Sequence, residues 1–293
     1  MSKKTVNELD ALISLIDEPD KEMYLAIKNK ISDYGIEAIP VLEEAWLTSK
    51  DDENAHRLED LIDEIRFNGL YHELKSWSDF QNNDLIKAFI LISKFRFPDL
   101  DEEKYYAELE KLKQDVWLEI NDNLTALEKV KVINHILFDI HKYKGQSPKQ
   151  KSTLNTCFIN ELVDTKAGNA VTLGILFISI AQHLEIPVFG VNLPRHFVLA
   201  YMNDTIPVKA VEDYSEDEVL FYLNAMNRGA VFTQNEIELF LKQMKIDIKE
   251  NYFLPCNNKA IIQRLINDMI NAYIQENKPE KAEILEQLLT ALD

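Results

Sequence analysis

The sequence predicts a mainly helical α+β fold, with a small antiparallel sheet packed on a long helix and helical hairpins at both ends. Apolar residues recur at three- and four-residue spacing through most of the chain, which indicates amphipathic helices. The 293 residues include only 7 Gly, fewer than an architecture with many tight turns would need. Runs with strand composition are confined to the stretch between residues 188 and 226.

Residues 1–78 are predicted to form helical hairpins. Pro19 interrupts the first periodic segment, Gly35 ends the second, and Pro40 falls in the first turn of the third, where a missing N–H costs little. A further amphipathic helix is expected from Asn54 to Trp77. The succession of short helix, glycine and helix resembles one HEAT-type hairpin, but a single unit is not a repeat array.

Residues 79–245 are expected to form the α+β core together with the helices that precede it. Three amphipathic helices are predicted between residues 83 and 145, and the third begins with a capping box at Thr125 and continues to Ile140. Residues 145–153 are polar and aperiodic, which predicts either a loop that leads into a site or a plain connection.

The sheet and its central helix are predicted between residues 154 and 226. A short helix from Leu154 to Asp164 ends before Gly168, and a second, almost entirely apolar helix starts at Asn169–Ala170 and ends near Leu184. Four runs have strand composition and predict an antiparallel sheet of about four strands: residues 188–192, 196–202, 205–211 and 219–226.

Residues 246–293 are predicted to form a C-terminal helical hairpin. Apolar residues recur at helical spacing from Lys259 onward, a break falls at Asn277–Pro279, and a second periodic segment follows. This hairpin resembles one tetratricopeptide unit without a second copy.

The net charge of the chain disfavours two classes of partner. The chain has 32 Lys and Arg against 50 Asp and Glu, a formal net charge of −18. Such a charge disfavours a nucleic acid or an anionic membrane surface as the partner. Solubility is the ordinary explanation of the charge. The partner expected from the site described below is a protein or peptide.

The two cysteines and the N-terminus predict a cytoplasmic protein. Cys157 and Cys256 are about 100 residues apart and form neither a CxxC pair nor a disulfide framework, which favours a reducing compartment. The first residues turn acidic at once and lack the apolar segment of a signal peptide. The longest apolar run, Ile175 to Ala181, is too short to span a bilayer.

The order of helix start, strand and strand-borne histidine is typical of sites that use a cysteine nucleophile. There the thiol lies at the helix N-terminus and a histidine from the adjacent sheet acts as base. Here the helix opens with Asn169, Ala170, Val171 and Thr172, none of which is cysteine. His196 opens the second strand, and Asn224 stands where a residue orienting the imidazole is expected. Read alone, His196 also fits a half-buried structural histidine, and Asn224 a turn residue.

Three sequence blocks carry a resemblance to a known family. They are residues 158–201, 220–233 and 255–289, with Asn155 before them. In order and spacing they resemble the SirB-type transglutaminase-like family, and the likeness extends over residues 83–293. Membership implies a transglutaminase-like, papain-like core followed by a tetratricopeptide-like hairpin, in bacterial proteins of undefined role.

The resemblance also assigns positions within the site. Gly168 matches the glycine before the nucleophile, Ala170 stands where the cysteine is expected, and Glu185-Ile186-Pro187 matches the element after the helix. His196 matches the catalytic histidine, and Asn224 stands where active relatives tend to have aspartate. The resemblance therefore implies one or two retained triad members and no nucleophile.

The sequence contains no other motif that indicates a catalytic, metal-binding or cofactor-binding site. Cys157 lies on the preceding helix, more than three turns from the start of the next, so both cysteines are interpreted as small buried hydrophobes. His135 and His141 are six residues apart and point to different helix faces. Phosphate loops and nucleotide fingerprints are missing, so no metal and no cofactor are expected.

Three functions remain open at this stage. The first is a non-catalytic binding module that holds a peptide or protein segment near His196, with Gly168, Asn169, Ala170, Asn192 and Arg195 in the binding surface. The second is an enzyme of altered chemistry, with His196 as base on a water or a substrate hydroxyl, Asn224 orienting it, and N–H groups near Asn169–Val171 as oxyanion donors. The third is a scaffold that binds partner helices through its hairpins.

Overall fold

The computed structural model describes residues 3–80, 84–146, 154–203, 214–249 and 252–293, with side chains from residue 6 onward. Contacts divide the chain into two compact units, Met1–Leu74 and Lys75–Asp293. The described residues are mainly helical with small sheets, which confirms the predicted fold class. The division into segments 1–78, 79–245 and 246–293 stays a prediction.

Helices alone build the first unit. Asp20 caps the second helix by accepting a hydrogen bond from the Met23 N–H, and Pro40 lies in the first turn of the third. Their apolar stripes meet in one core that contains Leu9, Ile31 and Leu61. The helices are α1 (Lys3–Ile13), α2 (Lys21–Ser32), α3 (Ile39–Thr48) and α4 (Asp52–Phe80), the last of which ends in the second unit.

Three helices precede the sheet in the second unit. The third begins with the predicted capping box, in which Thr125 and Glu128 bond each other's backbone N–H. The predicted continuation to Ile140 is a π-helical turn over His135–Ile140 rather than α-helix. The three are α5 (Leu85–Lys94), α6 (Glu102–Glu119) and α7 (Ala126–Asn134).

A nearly all-apolar helix, α9 (Ala170–His183), forms the centre of the second unit. Residues Val171 to Ile178 are buried along their whole length, so the helix is covered on every side. Its start and end agree with the boundaries predicted from the sequence. The helix expected over 154–164 is instead a 3₁₀ turn over Leu154–Cys157 followed by α8 (Ile159–Thr165).

Two sheets accompany α9. A short parallel pair joins β1 (Lys144–Gly145) to β2 (Ala167–Gly168), the segment directly before the helix. The main sheet is antiparallel, in the order β3–β4–β5–β6. Its strands are β3 (Val188–Leu193), β4 (His196–Met202), β5 (Val219–Asn224) and β6 (Ala230–Phe232).

The strands of the main sheet differ from the prediction after Asn224. The strand expected over 219–226 is wrong beyond Asn224, because the Asn224 side chain accepts the Asn227 N–H and closes a 3₁₀ turn over the next three residues. The strand expected over 205–211 lies outside the described residues. No strand was predicted for β6, which is only three residues long.

The two faces of the main sheet are covered by different helices. Phe197 and Leu199 face α9, where a Cβ on Gly174 would lie 2.6 Å from the Phe197 ring, so only glycine permits this approach. Val198 and Ala200 face the other way and share a core with α10 (Gln234–Gln243). Alternation along β4 therefore decides which helix each side chain meets.

The C-terminal helices pack against the same core. Helix α11 (Asn258–Gln275) contacts α5, α9 and the edge strand β3, and α12 (Pro279–Leu289) packs on α11. Just before α11, the Cys256 N–H donates to the Gly190 carbonyl at 2.8 Å, which occupies part of the β3 edge. Within the described ranges, no helix is both long and apolar enough to cross a membrane.

Candidate functional site

The topology gathers the predicted site residues at one end of the sheet. Strand β3 runs back along α9, so its last residues and the first residues of β4 lie toward the helix N-terminus. Pro194 and Arg195 form the turn between these strands, and Arg195 takes the left-handed conformation (φ 64°) that closes it. The 3₁₀ turn after β5 packs on α9 near the same end.

The start of α9 is closed by its own side chains. Asn169 Oδ1 accepts the Thr172 N–H at 2.9 Å, and Thr172 Oγ1 accepts the Asn169 N–H at 3.0 Å. The Thr172 hydroxyl is fully buried and lies 3.1 Å from the Thr156 carbonyl, to which it donates. Ala170, the first residue of the helix, contributes only a methyl group. No side chain in this first turn is therefore available as a nucleophile.

Gly168 has a packing role in this arrangement. A Cβ at this position would lie 2.7 Å from both the Leu162 Cδ1 and the Thr172 Oγ1. Its carbonyl accepts the Gln146 N–H at 2.9 Å and continues the pairing of β1 with β2. Glycine is required here for the close approach of α8 and α9, and a role in binding stays a prediction.

Cys157 is much closer to the helix start than the sequence suggested. Asn169 Nδ2 lies 3.4 Å from Cys157 Sγ, whereas more than three helical turns were expected to separate them. The expectation is wrong because Lys166 ends α8 in a left-handed conformation (φ 55°), after which β2 folds the chain back. The thiol is buried, as predicted.

The electrostatic surroundings of Cys157 keep it protonated. Burial raises the pKa of the thiol to about 12, and the nearby Asp268 carboxylate acts in the same direction. Burial also raises the pKa of Cys256 to about 12. Because the thiolate is the reactive form of cysteine, neither thiol is activated near neutral pH.

Helix α11 contributes two polar residues that the sequence analysis did not single out. Arg264 Nε lies 3.1 Å from Asp268 Oδ1, one helical turn away. Arg264 Nη1 donates to Asn192 Oδ1 at 2.7 Å and to the Leu193 carbonyl at 3.3 Å, so it ties α11 to the end of β3. An arginine and an aspartate at i, i+4 on a largely apolar helix were the available signal.

His196 faces α10 rather than α9. It is paired with Leu193 and shares the face of Val198, opposite to the face of Phe197. Its ring meets the Phe240 ring of α10 edge-on, with centroids 4.6 Å apart. Burial and the Arg264 guanidinium lower the pKa of His196 below its ordinary value. The imidazole is thus neutral at pH 7 and lies on the opposite side of the sheet from the helix start.

Asn224 serves the turn after β5. Its side chain accepts the Asn227 N–H at 3.3 Å, and its carbonyl accepts the Gly229 N–H at 2.9 Å. Among the hydrogen bonds of the described residues, none joins Asn224 to His196. A vestigial catalytic role for the pair stays a prediction. The described residues contain no group of three or more side chains that could hold a metal ion, and the expected absence of a metal also stays a prediction.

The comparison with known families agrees with this topology. The profile of the transglutaminase-like superfamily matches residues 103–267, more than half of the chain. The chain belongs to the transglutaminase-like superfamily. The match runs from α6 into α11 and includes every predicted site residue of the transglutaminase-like domain.

Curated relatives are distant. A "UPF0162 protein" of Xylella fastidiosa is 21% identical over 210 residues, 70% of each chain. A UPF0162 protein of Buchnera aphidicola is 24% identical over 218 residues, 73% of this chain and 76% of the relative. "F-box only protein 21" of Mus musculus is 23% identical over 158 residues, 54% of this chain but only 24% of that protein. No solved structure matches significantly. The two bacterial relatives bear only a family designation, and the SirB-type assignment stays a prediction.

Proposed function

We propose that the transglutaminase-like domain is a non-catalytic module that binds a peptide or protein segment at the surface around the β3–β4 turn. We call this the hairpin surface and define it by Asn192, Arg195, His196, Phe240 and Arg264.

The position of His196 carries the argument against catalysis. Acyl transfer needs a nucleophile, a base within hydrogen-bond reach of it, and donors for the oxyanion. Ala170 has no nucleophilic atom, and His196 meets the Phe240 ring edge-on on the other side of the sheet. The Asn169 N–H, a candidate oxyanion donor, is already taken by the Thr172 hydroxyl. An altered enzyme that uses His196 as its base would need this residue and the helix-start donors on the same side of the sheet, and the position of His196 therefore favours binding over catalysis.

The same groups suit binding. Arg195 and His196 are exposed at the turn, where their N–H groups are available to backbone carbonyls or carboxylates of a bound segment. Phe240 is half-buried beside His196 and offers an apolar contact. Arg264 holds the Asn192 amide in place through the 2.7 Å hydrogen bond, so part of the surface is ordered in advance.

The test measures turnover and binding on the same protein. Purified full-length chain is assayed with glutamine-donor, peptide-hydrolysis and thiol-reactive probes, and a pool of defined peptides is screened for binding. The expected result is no turnover, with peptides that bind the wild type and bind His196→Ala or Arg195→Ala about tenfold more weakly. His183→Ala is the matched control, because His183 is an exposed histidine at the C-terminal end of α9, away from the β3–β4 turn.

Two outcomes contradict the proposal. Turnover that disappears in His196→Ala establishes an enzyme of altered chemistry. Peptide binding that is indifferent to both hairpin substitutions places the contact elsewhere and favours the scaffold hypothesis, in which the helical hairpins capture the partner.

A further inference from the structure

A groove between α3 and α4 of the first unit lies outside the residues matched by the superfamily and takes no part in the proposed function. It encloses about 250 Å³. Pockets for small molecules commonly enclose about 300–1,000 Å³, so this space suits one or two side chains of a larger partner rather than a free metabolite. The lining residues, which we call the acidic groove, are Glu43, Trp46, Leu47, Glu59, Ile62, Asp63 and Arg66.

Helical spacing produces the groove. Glu43, Trp46 and Leu47 are spaced i, i+3, i+4 on α3, and the four residues from α4 are spaced i, i+3, i+4, i+7. Each set forms one stripe, and the short connection between α3 and α4 turns the stripes toward each other. Arg66 Nη2 donates to Glu43 Oε1 at 2.5 Å, which joins the two helices.

The groove has an apolar floor and walls that face solvent. Ile62 is 5% exposed and belongs to the core of the unit, while Trp46 and Leu47 are 40% and 75% exposed. An indole and a leucine side by side at this exposure leave apolar area in water, which is characteristic of a contact surface. Trp46 also presents a π-face to which a cation is attracted.

The negative charge of the groove favours a partner that carries positive charge. Arg66 is already paired with Glu43, so Glu59 and Asp63 give the groove its net negative charge. The first unit as a whole, residues 1–74, carries 18 Asp and Glu against 8 Lys and Arg, a formal net charge of −10. Two copies of such a surface repel each other, and a basic segment is attracted.

We infer that the acidic groove binds a basic amphipathic segment of a partner protein. One lysine or arginine side chain of the segment lies over Trp46, with its charge between Glu59 and Asp63. An adjacent apolar side chain covers Leu47 and Ile62. The aromatic residue supplies the anchor, and the two carboxylates select for positive charge.

The test uses the full chain and a fluorescein-labelled peptide of about 15 residues with leucine and lysine at helical spacing, measured by fluorescence anisotropy. Trp46→Ala is expected to weaken binding about tenfold. Trp46→Leu keeps an apolar side chain but loses the π-face, and is expected to weaken binding about threefold. Glu59→Gln with Asp63→Asn is expected to weaken it roughly fivefold at about 50 mM salt.

The matched control removes two carboxylate charges, one aspartate and one glutamate, elsewhere in the first unit. Asp10→Asn with Glu22→Gln alters exposed carboxylates of α1 and α2 and is expected to leave the affinity within about twofold of wild type. Equal weakening by both double variants attributes binding to overall charge and overturns the inference. So does equal binding of a peptide in which every lysine is glutamine. Self-association of the wild type that Trp46→Ala abolishes overturns it in favour of a second copy.

Discussion

Restoring the missing thiol tests whether this site lacks only a nucleophile. Ala170 is the first residue of α9, where the resemblance to active relatives places cysteine. A helix N-terminus stabilises an anion by about 0.3–1 kcal/mol, which corresponds to a pKa decrease of about 0.2–0.7. From an ordinary value of about 8.5, the thiol introduced by Ala170→Cys is expected to have a pKa near 8.

The two natural thiols provide the internal reference. With pKa values of about 12, they are thiolate to only about one part in 10⁴ at pH 8. The introduced thiol is about half ionised at that pH, so alkylation by iodoacetamide is expected to be at least about a thousandfold faster. Intact-mass spectrometry over time, with peptide mapping of the modified residue, measures this difference.

The decisive measurement is turnover. Ala170→Cys is expected to be alkylated and to remain inactive toward glutamine donors, because His196 lies on the sheet face toward α10 and cannot accept the thiol proton. Transamidation by Ala170→Cys that disappears when His196→Ala is added would refute this reasoning. Alkylation as slow as that of the natural thiols would show that the helix start is closed to solvent.

Three further outcomes are expected. In the wild-type protein, Cys157 and Cys256 react with a thiol reagent at pH 8 only after denaturation, as a kinetic assay with and without urea will show. Since the pKa of His196 is lowered, the unfolded chain binds its proton more tightly, and the contribution of His196 to stability falls as pH decreases from about 6.5 through the folded-state value; the difference in unfolding free energy between wild type and His196→Gln should be independent of pH above that range and should shift in favour of the variant below it. Gly229→Ala, with φ +66° and a Cβ that would overlap the Asn134 side chain, should cost about 2–4 kcal/mol of unfolding free energy, whereas Gly35→Ala, with φ +59° and open space around it, should cost about 1 kcal/mol in its own unit.

Features that depend on neighbouring residues were predictable from the sequence. The capping box at Thr125, the start of α9 at Asn169–Ala170 and the first-turn position of Pro40 all follow from chemistry within four residues. Strands β3 and β4 were predicted because their composition and the Pro194–Arg195 break are also local. These signals were enough for the fold class.

Features that depend on distant residues were not predictable. The approach of Cys157 to Asn169 requires the left-handed Lys166 and the pairing of β1 with β2, neither of which has a sequence signal of its own. The bond from Arg264 to Asn192 joins residues 72 positions apart. Three-residue strands such as β6 are stabilised by pairing with a neighbour, so their composition carries little information.

The orientation of His196 separates it from the helix start that the order of residues in the sequence places beside it. Residue order alone places the histidine beside the helix start, and the topology agrees as far as the end of the sheet. The face, however, is decided by alternation, and at this strand the even-numbered residues belong to the core with α10. A base on that face has no proton to accept from α9. The Phe240 ring beside it and the exposed Arg195 before it are the contacts on which the proposed recognition role rests.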